Sequence, residues 1–204
     1  MIVHVSPGTR SLDGDSSWDD KIRHVGAFSR FDDRTPRPVT GSGQRSVLVL
    51  LGSGGSGITR QDLHQAAATT PGWRWTTLGG ATGRWAEDPW TALCRADVVV
   101  THAGLNSLAA VAAARKPAVV VPQARPHDEQ LMTARALART GLAIVARRWP
   151  QAARWPGLLS AAAELGGDRW ADWSPGTGAQ AAAEVIQSVA VLTTGPGIRC
   201  AAPS

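Results

Sequence analysis

Between Asp97 and Thr140 the chain alternates apolar runs with short polar turns, and this constrains its fold more than any other feature. The β-branched run Asp97-Val-Val-Val-Thr101 suits a buried parallel strand. A helix is expected over 105–114, a second strand after Pro117, and a second helix over 130–140. Strand, turn, helix, strand, turn, helix demands crossover connections, hence a parallel sheet. In an open parallel sheet the turns that follow strands gather at the carboxyl edge, where ligands bind. The reactive side chains of this stretch lie in those two turns.

The first turn, Thr101-His-Ala-Gly-Leu-Asn-Ser-Leu108, has the chemistry of anion capture. A helix that starts beside Gly104 presents unpaired N–H groups, which attract phosphate. His102 offers a donor, Ala103 and Gly104 let an anion approach the backbone, and Asn106 and Ser107 add side-chain donors. Alone, the turn also fits an ordinary helix cap with a satisfied histidine. The second turn, Val121 to Gln130, carries Gln123, Asp128, Glu129 and Gln130 just ahead of a helix. A carboxylate beside an amide supplies the acceptors and donors that grip sugar hydroxyls, and it equally fits a solvated helix start.

A third, glycine-rich turn follows the apolar run over 46–51. Gly52, Gly54 and Gly57 match a dinucleotide-type G-x-G-x-x-G pattern, with Ser53 and Gly55 between them, ahead of a helix expected over 59–70. That fingerprint calls for an acid about 20 residues on. Trp73 to Gly80 contains none, which weakens an NAD(P) reading. Ile58 and Thr59 after Gly57 exclude a Walker A loop.

At these residues the sequence resembles the carboxyl-terminal, donor-binding half of the two-domain GT-B glycosyltransferases. Thr101-His-Ala-Gly-Leu-Asn-Ser107 is similar to the His-x-Gly-x-Asn-Ser core of UDP-glycosyltransferases, and the run through Pro117, Pro122, Asp128-Glu-Gln130 and Ala134 resembles the MurG-like branch, family 28. Together these cover most of 47–145. The resemblance implies a Rossmann-like doubly wound parallel α/β sheet, the C-terminal half of a GT-B fold. It places His102, Asn106 and Ser107 near a donor diphosphate, with His102 stabilising the leaving group, and Glu129 and Gln130 near the donor hexose. It puts Gly52, Ser53, Gly54 and Gly55 near the diphosphate and the interdomain cleft, and Trp85 and Ala86 against the base. The implied co-substrate is a UDP-sugar, UDP-N-acetylglucosamine by analogy with that branch, with no metal and no further cofactor. One position departs from the pattern: Ala110 stands where these families place a glutamate for the ribose hydroxyls.

The organisation expected is an N-terminal arm and interdomain connector over 1–44, a donor-binding domain over 45–192 and a flexible tail over 193–204. Within the arm, 24–31 resembles the connector that leads a GT-B chain into its second domain, and 2–5 reads as a strand left from the first. Helices are expected over 150–165 and 179–191. The first GT-B domain, which supplies the base and most acceptor contacts in the resembling enzymes, is nearly absent from these 204 residues. An N-terminal GT-B domain or a partner subunit is therefore the expected partner.

Neither a signal peptide nor a bilayer-length apolar run is present, so a cytoplasmic chain is expected, with peripheral membrane association through a partner as the second option. Cys94 and Cys200 lack metal-site spacing. The formal charge of +5 comes from scattered arginines, with lysine only at Lys21 and Lys116, so no nucleic-acid partner is expected. Three functions stay open: a glycosyltransferase donor-binding half, a non-catalytic nucleotide-binding or regulatory module, and an NAD(P)-binding domain.

Overall fold

The computed structural model describes residues 2–4, 22–36, 43–52, 57–80 and 83–193. A short parallel pair, β1 (Ile2–His4) and β2 (Ile22–His24), stands apart from the main sheet. The main sheet comprises β3 (Arg45–Leu50), β4 (Trp73–Leu78), β5 (Val98–Thr101), β6 (Ala118–Val120) and β7 (Ile144–Val145). All four pairings are parallel, in the order β4-β3-β5-β6-β7.

The helices are α1 (Arg60–Ala68), α2 (Trp90–Arg95), α3 (Leu105–Ala113), α4 (Glu129–Thr140), α5 (Trp155–Leu165), α6 (Trp170–Trp173) and α7 (Gly178–Thr193). The expected helix over 150–165 is shorter: Pro156 sits in the first turn of α5, and Ala152–Arg154 forms a 3₁₀ turn ahead of it. Thr59 caps α1 through a capping box with Asp62, whose carboxylate accepts the Thr59 N–H at 2.8 Å.

The strands are apolar on both faces because both faces are covered. Val47, Val49 and Leu51 of the β3 segment, Val98 and Val100 of β5, and Val119 and Val121 of the β6 segment bury against Ala66 of α1 and Trp155, Leu159 and Ala162 of α5. The intervening Leu48, Leu50, Val99 and Val120 bury against α2, α3, α4 and α6. Helix α3 is buried over six consecutive residues, Leu108 to Ala113, and its alanines let it lie close to the sheet. The result is a three-layer doubly wound α/β domain, as the alternation predicts.

The stretch over 25–31 is more than an arm. Ala27 and Phe31 belong to the core on the α3 side, Ala27 N–H donates to Trp173 O at 3.1 Å, and Ser174 Oγ donates to Ala27 O at 2.9 Å.

Candidate functional site

In this strand order the direction of winding reverses between β3 and β5, which opens a crevice at their carboxyl ends. A cavity of about 490 Å³ occupies that place. Its floor is Leu50, Leu51 and Gly52 at the end of β3; Asn106, Ser107, Ala109 and Ala110 of α3 form one side. Leu78, Gly79, Trp85, Ala86 and Pro89 form another, and Phe28, Ser29, Arg30 and Phe31 close it from the connector.

Gly79 is needed where these elements meet. Its φ is +76°, and a Cβ there would fall 2.0 Å from Leu51 O. The same turn is tied by Leu51 N–H to Leu78 O and Gly79 N–H to Arg84 O, each at 2.9 Å. The connector is pinned to the loop before α2: Arg30 Nη2 donates to Glu87 O at 2.7 Å, and Arg34 pairs with Asp88 at 2.7 Å. Arg34, with the Trp90 N–H adding to it, holds the Asp88 carboxyl below its ordinary range. Trp85 therefore stands on a braced loop and is 74% exposed, unlike Trp155 and Trp170, which are fully buried.

The phosphate-type turn lies beside this cavity. Gly104 is the N-cap of α3 and makes no side-chain hydrogen bond there. Helical geometry leaves the N–H groups of Leu105, Asn106 and Ser107 without intrahelical acceptors. Asn106 is exposed and Ser107 half-buried, both on the cavity wall. Ala103 is 2% exposed and packs in the core, so its side chain is lost to the rim and only its backbone can serve.

His102 is also buried, and its Nδ1 lies 2.8 Å from Val121 O. A carbonyl only accepts, so Nδ1 carries the proton and Nε2 is the acceptor of the neutral ring. Burial pushes the His102 pKa below its ordinary value; the charge of Arg125 pushes the same way, and the Val121 bond opposes them. To donate from Nε2 to a phosphate the ring must gain a proton, which an anion beside it favours.

The second turn folds back toward the first. Gln130 is 7% exposed, its Oε1 accepts the Gln123 N–H at 3.0 Å, and its Nε2 faces Gly104. Arg125 Nη2 donates to Gln123 Oε1 at 2.9 Å. His127 and Asp128 both take left-handed backbone, φ 62° and 50°, so this turn holds strain that places Glu129 at the first position of α4. Asp128 and Glu129 are exposed at the rim.

Of the residues singled out from sequence, Gly52, Trp85, Ala86, Asn106 and Ser107 line the cavity together. His102, Gly104, Gln123 and Gln130 form an adjoining cluster, with Asp128 and Glu129 beyond it. Ser53, Gly54 and Gly55 lie outside the described residues. Sequence reasoning missed Phe28, Arg30 and Phe31 as cavity walls and Arg125 as the cation beside His102. The proline-flanked Arg125 in a rim turn was the available signal for the last. Among the described residues no three His, Cys, Asp or Glu side chains cluster to hold a metal, and no helix is long and apolar enough to cross a membrane.

A larger cavity, about 820 Å³, lies beyond β7 and is lined by residues including Arg147, Arg148, Trp149 and Arg154. None of the residues singled out from sequence line it.

Residues 90–149 match the glycosyltransferase family 28 C-terminal domain, a span that holds both rim turns. No curated protein matches the chain. Its fold is similar to the crystal structure of the glycotransferase of kitacinnamycin, with TM-score 0.57 and 18% identity over 87% of this chain and 51% of that one. It is also similar to the calicheamicin glycosyltransferase CalG4, with TM-score 0.56 and 20% identity over 85% of this chain and 50% of that one. The chain thus spans about half the length of these structures. Residues 90–149, with both rim turns, are thus similar to the C-terminal domain of glycosyltransferase family 28, and the chain shares the fold of these glycosyltransferase structures.

Proposed function

We propose that the chain binds a pyrimidine nucleoside-diphosphate sugar at the β3/β5 crevice and presents it for hexosyl transfer to an acceptor held by an N-terminal GT-B domain or partner subunit. The observation that carries this reading is the continuity of the site. The cavity holding Trp85 and Ala86 runs to the start of α3 at Asn106 and Ser107, and the His102–Gln130 cluster adjoins it across Gly104. Base, diphosphate and sugar would occupy these three places in order. UDP-N-acetylglucosamine is the donor that the family resemblance favours.

Catalysis in this reading is mostly stabilisation of the departing nucleoside diphosphate. The helix-end N–H groups, a protonated His102 and nearby Arg125 supply positive charge where a bound cation would otherwise serve, so no metal is required. The general base and the oriented acceptor belong to the other half. Titration calorimetry with UDP and UDP-N-acetylglucosamine in the presence of EDTA tests this, and saturable binding is expected. Binding that appears only with Mg²⁺ or Mn²⁺ would contradict the phosphate site.

A non-catalytic nucleotide-binding module is the second reading, favoured by Ala110 on the cavity wall. Donor hydrolysis or transfer once an N-terminal half is added separates the two. The NAD(P) reading loses ground at the end of β4, where Leu78 and Gly79 stand in place of a ribose-binding acid.

A further inference from the structure

We propose that the cavity beyond β7 is a second anion site, which binds a phosphate or diphosphate group on Arg147, Arg148 and Arg154 and rests the body of the ligand on Trp149. From residue 130 to 163 the chain carries five arginines and no Asp or Glu. The fold brings three of the five to one place. Arg147 and Arg148 follow the carboxyl end of β7, the edge strand of the sheet, and Arg154 ends the 3₁₀ turn ahead of α5. All three are exposed and line the same cavity of about 820 Å³. Among the described residues the salt bridges involve Arg34 and Arg169 and none of these three; no acid lines the cavity, and the first turn of α5 supplies none. Like charges gathered around one concavity repel, and an anion seated among them relieves that repulsion. Guanidinium forks match phosphate oxygens two at a time.

The backbone that carries the arginines is held along its length. Ala146 N–H donates to Val120 O at 3.0 Å, Pro150 is buried, Ala152 O accepts the Thr69 hydroxyl at 2.9 Å, and Arg154 N–H donates to Gln151 O at 2.9 Å. Trp149 is half-buried, its ring 4.8 Å from that of Trp155, which meets Trp75 edge-on at 5.1 Å. A fixed backbone lowers the ordering cost of gripping a ligand. The volume falls within the range of small-molecule sites, about 300–1,000 Å³, which favours a small phosphorylated ligand or a single lipid headgroup over the face of another protein. Strand β7 lies two strands beyond β5, on the order of 10 Å along the sheet. The site therefore shares the carboxyl rim with the donor crevice but none of its lining residues.

The test is a nuclear magnetic resonance titration of the full chain with sodium pyrophosphate, read at the Trp149 indole and at the Nε–H groups of Arg147, Arg148 and Arg154. Saturable shifts are expected there. Affinity should fall several-fold in each of Arg147→Gln, Arg148→Gln and Arg154→Gln, and more than about ten-fold when all three are combined. Because the three side chains are exposed, the variants should keep the wild-type spectrum elsewhere. Shifts at the start of α3 alone, shifts that do not saturate, or unchanged affinity in the triple variant would each overturn the proposal. None of these outcomes depends on whether the crevice binds a nucleotide sugar. Sedimentation with phosphatidylglycerol vesicles, against phosphatidylcholine vesicles, separates the two sources of the phosphate. Retention that the triple substitution abolishes identifies a lipid headgroup, and saturable pyrophosphate binding without retention identifies a soluble phosphate.

Discussion

Gln130 reaches back across its own turn, its Oε1 accepting the backbone N–H of Gln123 at 3.0 Å while its Nε2 faces Gly104 across the rim. One amide thus fixes the second turn and offers a donor beside the first.

From this, Gln130→Ala should weaken binding of a nucleotide sugar more than binding of the bare nucleoside diphosphate. One lost hydrogen bond is worth roughly 0.5–1.5 kcal/mol, a few-fold to about ten-fold in affinity. Calorimetry with UDP and UDP-N-acetylglucosamine reads the ratio directly. Equal losses for both ligands would confine Gln130 to a structural role.

His102 makes donor binding depend on pH. In the free domain burial holds its pKa below the ordinary value of about 6.5, so the ring is neutral at pH 7. A bound diphosphate favours the imidazolium and raises that pKa. Between the two values binding takes up a proton, and affinity falls as pH rises through the pKa of the complex. A nucleotide sugar, whose diphosphate does not titrate near neutrality, should show a binding enthalpy that varies with buffer ionisation enthalpy. His102→Asn should abolish the variation, and its persistence in that variant would place the proton elsewhere.

Gly79→Ala tests the joint between β3 and β4. The positive φ and the approach of Leu51 O leave no room for a Cβ, so destabilisation of roughly 1–3 kcal/mol or more is expected in urea unfolding. An unchanged midpoint would mean that the turn relaxes without cost.

The layout of the sheet was legible because Val98, Val99 and Val100, and Ala118, Val119 and Val120, are buried on both faces, which leaves a continuous apolar run in the sequence. The rim turns were legible because Gly104, Asn106, Glu129 and Gln130 stand where strands end and helices begin. Phe28 and Arg30 were not legible as walls. Their placement depends on contacts between distant segments, Arg30 with Glu87 and Ala27 with Trp173, that no local periodicity encodes. The influence of Arg125 on His102 likewise comes from a separate turn, brought near by the fold. Trp85 could not be told from the core tryptophans by type; only its exposure separates it from Trp155 and Trp170.

On the proposed reading, transfer should need an N-terminal GT-B half. The isolated chain is expected to bind donor but to form little or no glycoside, since orientation of two reactants alone can contribute about 7–11 kcal/mol to lowering a barrier. Adding an N-terminal GT-B domain, encoded upstream or by a neighbouring gene, should restore turnover. Robust transfer by the chain alone would put the base and the acceptor site within these residues.

The central claim is that the donor occupies the β3/β5 crevice, and nuclear magnetic resonance titration with UDP-N-acetylglucosamine in EDTA tests it most directly. Shifts are predicted at the Trp85 indole, at Gly52, at the backbone amides of Leu105, Asn106 and Ser107, and at the His102 ring. Shifts confined to the arginine-lined cavity around Arg147, Arg148 and Arg154, with Trp85 and α3 unmoved, would contradict the account.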